Sequence, residues 1–436
     1  MDYGIDMRRK EVILFMTVGT GINQGSEEEG YKSMANKLYA SITRIFPNFV
    51  VFFATEKSKE TIKYIEELFK MENDVFVEDE DYEIKYMEEI DDFNHCFEKI
   101  EEGVWFYDIL SEDNVEIVMD YTSGTKTMSA AIACCGMMYN KTLVSVGGDR
   151  SAGLVAQGTE SINYQNLYKI YDKFSLMRVR SNFNANRFFS NIDILNGIVD
   201  TTIAKDDLLN LCKSYYAWEN MDFNEAYNFL TQINMDRLVF YEIKEELKKN
   251  LKALGAICKS KSENLKNCYI LASLINNSIR RAEEYKYDDA IARLYRAFEL
   301  IAQIRLYKYD LFSSDIDVEI LKNKGVSEEF IQDLERKREE DGKIKIGLIK
   351  DYNLLYQLND DLGKYFIENE NRIRNMTKKR NESILAHGLE SQDKESFDEF
   401  LDLIVTLAKK LDKDMNKFLD ETKFAKFDLK VDINKE

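Results

Sequence analysis

Two side chains that could cleave a phosphodiester lie seven residues apart near the end of the chain. Arg380 opens and His387 closes the sequence RNESILAH. A histidine can give and take a proton near neutral pH, and a fixed arginine can neutralise the charge that develops on a phosphorane. Asn381 could hold the substrate or the imidazole by hydrogen bonds. The trio suits RNA scission in which the ribose 2′-hydroxyl attacks the neighbouring phosphate and no metal is required.

The segment around these residues is basic, although the chain is acidic. Between residues 371 and 388 there are five cations and one anion, whereas the whole chain has 60 Lys and Arg against 79 Asp and Glu, a net charge of −19. A local excess of positive charge marks a place for a polyanion. We therefore predict that single-stranded RNA binds here, and the candidate RNA-binding residues are Arg374, Lys378 and Lys379.

Residues 366–388 read as one helix that ends at Gly388. Seven residues make about two helical turns, so Arg380 and His387 are expected to share one face. The alternative is a surface helix that carries an Arg and a His by chance. The other histidine of the chain, His95 in DDFNHCFEK, has no obvious partners and is interpreted as a structural or surface residue.

A second candidate site lies where an apolar run meets a stretch of small residues. The sequence DYTSGTKT, residues 120–127, follows the run VEIVM. Its hydroxyl groups, the free N–H groups of a helix start and the cation of Lys126 suit a phosphate or another anion, and Gly124 permits a tight turn. Taken alone, this stretch could equally be a helix N-cap followed by a turn.

Two further loops of the same character follow other apolar runs. They are TVGTGINQ, residues 17–24, and ATEKS, residues 54–58. In an open parallel sheet, ligands bind beyond the carboxyl ends of the strands, where these loops are expected to meet. The candidate ligand-binding residues are Gly19, Thr20, Gly21, Asn23, Thr55, Ser123, Gly124, Thr125, Lys126 and Thr127.

These loops do not match two familiar nucleotide-binding motifs. A P-loop needs adjacent Gly and Lys, but Thr125 separates Gly124 from Lys126. In the loop at 17–25 the last glycine comes one position too late for GxGxxG. Glu56 could still mimic the acid that binds a ribose, so an enzyme that binds a nicotinamide dinucleotide remains an alternative.

The elements that must position these loops alternate in type up to about residue 165. The runs EVILFMTV, NFVVFFAT, EIVMDYT and TLVSVGG read as strands, and SMANKLYASITRIF and TIKYIEELFKM read as helices. This order predicts an α/β domain with a doubly wound parallel sheet, followed by an all-α region. Within that region, residues 222–226 and 286–290 look alike, which raises the possibility of helical repeats.

Composition excludes several classes of protein. The 436 residues include six Cys without a CxxC pair and two His, so there is no zinc spacing, and we predict no metal or cofactor. The acidic balance argues against generic binding of duplex DNA. The apolar run after Lys10 is too short for a signal peptide and reads as a strand, and no run of about 18 apolar residues predicts a membrane helix. We expect a cytoplasmic protein.

The first loops resemble those of a known family of sensors. A strand ending in Asp-x-Thr-x-Gly-Thr-Lys-x-Met, with an early Val-Gly-Thr-Gly loop, is similar to the CRISPR-associated Rossmann-fold (CARF) domains of type III CRISPR systems. The resemblance covers about residues 10–165. It implies a homodimer that binds cyclic tetra- or hexa-adenylate across its axis, with residues 19–23 and 123–127 lining the groove.

The sequence RNESILAH resembles the Arg-Asn…His hallmark of HEPN ribonuclease domains, which pair two copies of the site across a dimer. Residues 265–415 would form this domain, and KYDDAIARLYRAFELIAQ resembles its earlier core helix. The resemblance implies that Arg380, Asn381 and His387 are catalytic. The predicted organisation is therefore a sensor at 1–165, a helical connector at 166–264 and a HEPN-like effector at 265–436.

These resemblances together predict an endoribonuclease that a cyclic oligoadenylate activates in type III CRISPR antiviral defence. The reaction would leave a 2′,3′-cyclic phosphate, and a monomer would be inactive. The first alternative is a sensor whose degenerate HEPN-like domain recruits a partner and cuts nothing. The second alternative is the nicotinamide-dependent enzyme suggested by the loop at 17–25.

Overall fold

The computed structural model describes residues 10–21, 26–110, 115–151, 154–155, 158–199 and 204–428. The chain divides into two compact units, residues 1–171 and 172–436. The first unit is an α/β domain and the second is all helical, which confirms the predicted fold class.

The first unit is built on a mixed sheet of six strands among the residues described. The strands follow the order β3-β2-β1-β4-β5-β8, and all pairs are parallel except β5 with β8. A short antiparallel pair, β6 with β7, lies outside this sheet. The strands are β1 Glu11–Thr17, β2 Phe49–Ala54, β3 Tyr82–Tyr86, β4 Val115–Asp120, β5 Thr142–Gly147, β6 Arg150–Ser151, β7 Leu154–Val155 and β8 Ser161–Gln165. The chain leaves β1 towards β2 on one side and later enters β4 on the other, so the strand order reverses between β1 and β4.

The central strands are almost wholly apolar because helices cover both faces of the sheet. Alternate residues of β1 enter different cores: Phe15 packs with Met119 on one face, and Leu14 packs with Val118 on the other. The helices of this unit are α1 Glu27–Ile45, α2 Lys59–Met71, α3 Phe93–Leu110 and α4 Lys126–Met138. This packing fixes the β1 and β4 ends, and therefore the loops that follow them, side by side.

Helix α5, Tyr168–Asn184, contains the division between the two units. The second unit consists of helices around one apolar core. They are α6 Phe188–Asn196, α7 Lys205–Glu219, α8 Phe223–Thr231, the 3₁₀ helix Leu238–Ile243, α9 Lys244–Lys259, α10 Glu263–Glu283, α11 Tyr287–Tyr307, α12 Val318–Asn323, α13 Glu328–Glu335, α14 Leu348–Gln357, α15 Asp361–Glu368, α16 Glu370–Asn381, α17 Lys394–Leu411 and α18 Met415–Glu421. Among the residues described, no helix is long and apolar enough to cross a membrane.

The two similar openings at 222–226 and 286–290 occupy the same place in two helical hairpins. In the pair α7–α8 the Ser214 hydroxyl donates to the carbonyl of Ala226 at 2.8 Å. In the pair α10–α11 the Ser278 hydroxyl donates to the carbonyl of Ala290, also at 2.8 Å. The sequence similarity therefore marks a repeated corner at which a buried hydroxyl ties the first helix to the second.

A buried carboxyl in the helical unit makes its stability depend on pH. Asp351 on α14 is 2% exposed, and burial raises its pKa to about 7. The unfolded chain loses this proton near pH 4 and the folded chain near pH 7, so the free energy of unfolding falls as pH rises through this window. We expect the free energy of unfolding of the wild type to fall by about 2 kcal/mol between pH 5 and pH 8, and that of Asp351→Asn to fall much less.

Urea unfolding at the two pH values measures this difference. Asp402→Asn is the matched control, because the Asp402 side chain is 74% exposed. Equal pH slopes for wild type and Asp351→Asn would contradict the assignment of the effect to this carboxyl.

Candidate functional site

The loops after β1 and β4 are joined by hydrogen bonds at the point where the strand order reverses. The Thr17 hydroxyl donates to the carbonyl oxygen of Ser123, and the Gly19 N–H donates to the Ser123 hydroxyl at 2.9 Å. Gly124 has φ +91°, and a Cβ there would lie 3.0 Å from Cβ of Thr17. Only glycine fits such a backbone at such a separation, so the sequence brings the two loops together at the ligand-binding edge of a doubly wound sheet.

The loop after β2 leads into α2, and a residue of α2 contacts the loop after β1. The Thr61 hydroxyl donates to the carbonyl oxygen of Gly19 at 2.9 Å. Thr55 and Ser58 form a closed turn, in which the Ser58 N–H donates to the Thr55 hydroxyl at 3.0 Å. Three loops that are far apart in sequence therefore share one edge of the sheet.

The predicted ligand-binding residues divide into those that hold this edge together and those that face outward. Ser123 is 2% exposed, and the Thr125 hydroxyl caps α4 by accepting the Met128 N–H at 3.1 Å while donating to the Ile90 carbonyl at 3.0 Å. Lys126 is exposed, and its ammonium group has no partner among the described residues. The half-buried residues are Gly19, Thr20, Gly21, Thr55, Gly124 and Thr127. Asn23 lies outside the described residues.

Asp120 is a further determinant of this edge that was not among the predicted site residues. It is 1% exposed, and it accepts hydrogen bonds from the Ser41 hydroxyl at 2.5 Å and the Thr122 N–H at 2.8 Å. Burial raises the pKa of this carboxyl, and the hydrogen bonds from Ser41 and Thr122 oppose the rise. The Thr122 hydroxyl in turn accepts the Val146 N–H at 2.8 Å, so Asp120 anchors the loop to α1 and β5.

The prediction of one helix over residues 366–388 was wrong. Helix α15 ends at Glu368, and α16 ends at Asn381, so His387 lies in a turn rather than two helical turns along the same face. Gly388 consequently does not end the helix. The chain folds back on the last turn of α16 after Asn381. Residues 382–387 contain no Gly or Pro, so the sequence gives no local signal that the helix ends there.

This reversal brings His387 next to Asn381 by backbone hydrogen bonds. The His387 N–H donates to the carbonyl of Asn381 at 3.1 Å, and the Gly388 N–H donates to that of Ser383 at 3.2 Å. A Cβ at Gly388 would lie 1.9 Å from the Glu382 carbonyl oxygen, so only glycine closes the loop. The imidazole of His387 is exposed and has no hydrogen-bond partner among the described residues, which leaves both ring nitrogens available.

Arg380 is held by two contacts on the same side of the turn. Its guanidinium lies over the ring of Tyr295 at 4.1 Å, and it donates to Oδ1 of Asn381 at 3.1 Å. Tyr295 is on α11, within the sequence that resembles the core helix of a HEPN domain. Sequence reasoning missed it, because Tyr295 and Arg380 are 85 positions apart and no local pattern pairs them.

Of the three predicted RNA-binding cations, two have carboxylate partners within the chain. Arg374 donates to Glu370 at 2.8 Å, and the Lys378 ammonium lies 3.8 Å from the Glu382 carboxylate. The ammonium of Lys379 has no ion-pair partner among the described residues. In the same described part of the chain, no cluster of three or more His, Cys, Asp or Glu side chains could hold a metal ion.

The contact between Arg380 and Tyr295 predicts the effect of changing the tyrosine. If Arg380 acts in the RNA cleavage that the sequence predicts, Tyr295→Phe should retain most of that activity because it keeps the aromatic face. Tyr295→Ala should lower the cleavage rate about tenfold, since a partly buried cation–π contact is worth roughly 1–2 kcal/mol. Initial rates of RNA cleavage for both variants provide the measurement. Equal rates for Phe and Ala would show that the ring does not position Arg380.

Family comparisons match the helical part of the chain. The Csm6 6H domain matches residues 171–259, and the Csm6 HEPN domain matches residues 259–411. The chain belongs to the Csm6 family. The sequence resemblance to CARF–HEPN effectors of type III CRISPR systems is thereby confirmed, and the turn at Arg380–His387 lies inside the matched Csm6 HEPN domain.

Solved structures agree with this assignment at the level of the fold. Enterococcus italicus Csm6, bound to cyclic hexa-2′-fluoro-hexa-dAMP, matches with a TM-score of 0.57 and 12% identity over 94% of this chain and 98% of that one. Can2 from Sulfobacillus thermosulfidooxidans, in complex with cyclic tetra-adenylate, matches with a TM-score of 0.24 and 13% identity over 51% and 66%, which is too distant to support an argument. No curated protein matches the chain in sequence.

Proposed function

We propose that this Csm6-family protein is a metal-independent endoribonuclease for single-stranded RNA, and that a cyclic oligoadenylate activates it. One observation carries the catalytic part of the proposal. The backbone of the 382–388 turn holds His387 against Asn381, while Tyr295 and Asn381 hold Arg380 beside them. An exposed imidazole and a fixed guanidinium in one basic turn are the groups that cleavage of a phosphodiester needs.

The reaction follows from these groups. The ribose 2′-oxygen attacks the adjacent phosphorus as its hydroxyl proton is removed, and the bond from phosphorus to the 5′-oxygen breaks as that oxygen takes up a proton. His387 carries out one of these two proton transfers, as general base or general acid, and solvent water serves in the other. Arg380 stabilises the negative charge on the phosphorane, and Asn381 positions the substrate. The products are a 2′,3′-cyclic phosphate and a 5′-hydroxyl, and neither step needs a metal.

The apolar side chains beside His387 support a homodimer. Ile384, Leu385 and Leu389 are 64%, 51% and 89% exposed, although they flank a basic turn. Burying three such side chains against a second copy would stabilise a dimer and bring two copies of the turn together. We expect Leu389→Glu to yield monomers in analytical ultracentrifugation and to lose RNA cleavage. A monomeric variant with full activity would contradict the composite site.

The sensor part of the proposal rests on the three loops at the sheet edge. They present backbone N–H groups, the exposed cation of Lys126 and the start of α4 at the point where the strand order reverses. These groups suit the phosphates of a ring, and the similar fold of Enterococcus italicus Csm6 holds a cyclic hexanucleotide analogue. We propose cyclic tetra- or hexa-adenylate as the activator of this chain, with no cofactor.

Product analysis tests the reaction class. Wild type with activator and EDTA should convert a single-stranded RNA into fragments with 2′,3′-cyclic phosphate and 5′-hydroxyl ends. A matched oligonucleotide with a 2′-deoxyribose at each cleaved position should stay intact. Fragments with 3′-hydroxyl ends, or equal cutting of the 2′-deoxy substrate, would overturn the mechanism.

A further inference from the structure

The helical unit contains a pocket whose lining does not include the turn at Arg380–His387. It has a volume of about 680 Å³ and is lined by residues 184–190, 216, 219–220, 281, 283–286 and Lys426. This volume is within the range of pockets that bind small molecules, about 300–1,000 Å³. The walls come from the corner after α5, the end of α7, the corner between α10 and α11 and the segment after α18.

One wall of the pocket is built on a buried cluster of arginine and glutamate side chains. The Glu219 carboxylate, 9% exposed, accepts hydrogen bonds from both Arg280 and Arg281. The Arg281 guanidinium also lies 3.3 Å from the Glu284 carboxylate, which holds it in place at the pocket.

The remaining charged side chains of the pocket leave one cation, Arg187, without an ion pair among the described residues. Lys426 lies 3.0 Å from the Glu283 carboxylate, and Lys286 lies 2.7 Å from that of Glu284. Arg187 is exposed on the wall and has no ion-pair partner among the described residues. The side chains that line the pocket therefore include four cations and three carboxylates, in a chain whose net charge is −19.

Aromatic rings line the opening of the same pocket. Phe189, Tyr216 and Tyr285 are 58%, 42% and 80% exposed. The rings of Phe189 and Tyr216 contact each other at a centroid distance of 5.4 Å. Exposed rings beside cations are the pattern on which nucleobases stack while their phosphates are neutralised.

We propose that this pocket binds one nucleotide unit, with the base against Phe189 and Tyr216 and the phosphate at Arg187 and Arg281. The proposal does not depend on RNA cleavage. The same chemistry is offered by a free nucleotide and by one nucleotide of a single-stranded RNA, and the experiment separates these sources.

Calorimetric titration of the full chain tests the pocket with AMP, with adenosine and with a short, uncleavable 2′-fluoro RNA. We expect AMP or the RNA to bind, and adenosine to bind at least tenfold more weakly than AMP because it lacks the phosphate. Phe189→Ala and Arg187→Ala should each weaken binding at least tenfold. Both side chains are exposed, so these variants should fold.

The matched controls are Tyr241→Ala and Lys261→Ala, an exposed aromatic residue and an exposed cation in the same unit that do not line the pocket. They should leave binding unchanged. Binding of AMP identifies a free nucleotide as the ligand, and binding of the RNA alone identifies an RNA anchor. No saturable binding, or affinities that are the same in the pocket variants and the controls, would overturn the proposal.

Discussion

Replacement of His387 by alanine should lower the rate of RNA cleavage by about 10²–10⁴-fold, which is the range that a general acid–base group contributes. The imidazole is exposed and makes no hydrogen bond within the described part of the chain, so its removal should not destabilise the fold. Initial rates with saturating activator, together with thermal unfolding of the same preparations, provide the measurement.

His95→Ala is the matched control because it removes the other histidine of the chain. His95 lies on α3 in the sensor unit, so this variant should cleave RNA at the wild-type rate. If His387→Ala retained full activity, or if both histidine variants lost activity equally, the assignment of His387 as the acid or base would be wrong.

Lys126→Ala should raise the concentration of cyclic oligoadenylate needed for half-maximal activation by about 10²-fold or more. A charge-assisted hydrogen bond contributes roughly 1.5–3 kcal/mol, and a ring bound across a dimer would contact this lysine twice. Lys126 is exposed and unpartnered within the described residues, so its truncation should leave the fold intact.

Activation curves for wild type, Lys126→Ala and Lys99→Ala measure this effect. Lys99 is a half-buried lysine on α3 that pairs with Glu102, and its truncation should not move the curve. Rates at saturating ring should be similar in all three proteins. An unchanged half-activating concentration in Lys126→Ala would place the activator elsewhere on the molecule.

The strands that the sequence predicted are those that both layers of helices bury. The runs EVILFMTV and NFVVFFAT are apolar at nearly every position because they lie in the middle of the sheet. The strands YEIKY and SINYQ, at the two edges, were missed because their side chains are partly exposed and carry no apolar run. The edge position also explains why β8 can pair antiparallel in a sheet that was predicted to be parallel.

The candidate catalytic residues were recognisable by type, but their geometry was not. Nothing between Glu382 and His387 breaks a helix locally, so periodicity alone extended α16 past Asn381. The turn depends instead on Ser383, which is 2% exposed, and on the close approach of Gly388 to the Glu382 carbonyl. These are tertiary constraints, and a pattern of side-chain types does not report them.

The same distinction applies to the sensor loops. The types of Ser123 and Thr125 suggested hydroxyls that face a ligand, whereas the structure uses both hydroxyls to fix the loop and the start of α4. Lys126 is exposed and has no partner among the described residues, so its truncation tests ligand binding without disturbing the loop. Hydroxyl groups suit both roles equally well, so the choice between them becomes visible only when their partners are known.

Cleavage of a fluorescent single-stranded RNA by wild type in EDTA, with no ring, cyclic tetra-adenylate, cyclic hexa-adenylate or NAD, is the most direct measurement. Strong cleavage with one of the two rings, and little with NAD or without ligand, is the predicted result, and it would identify the activator. Absence of cleavage under every condition, while a ring still binds, would contradict the ribonuclease function and favour a sensor that recruits a partner. Cleavage that needs NAD would contradict the proposed activator.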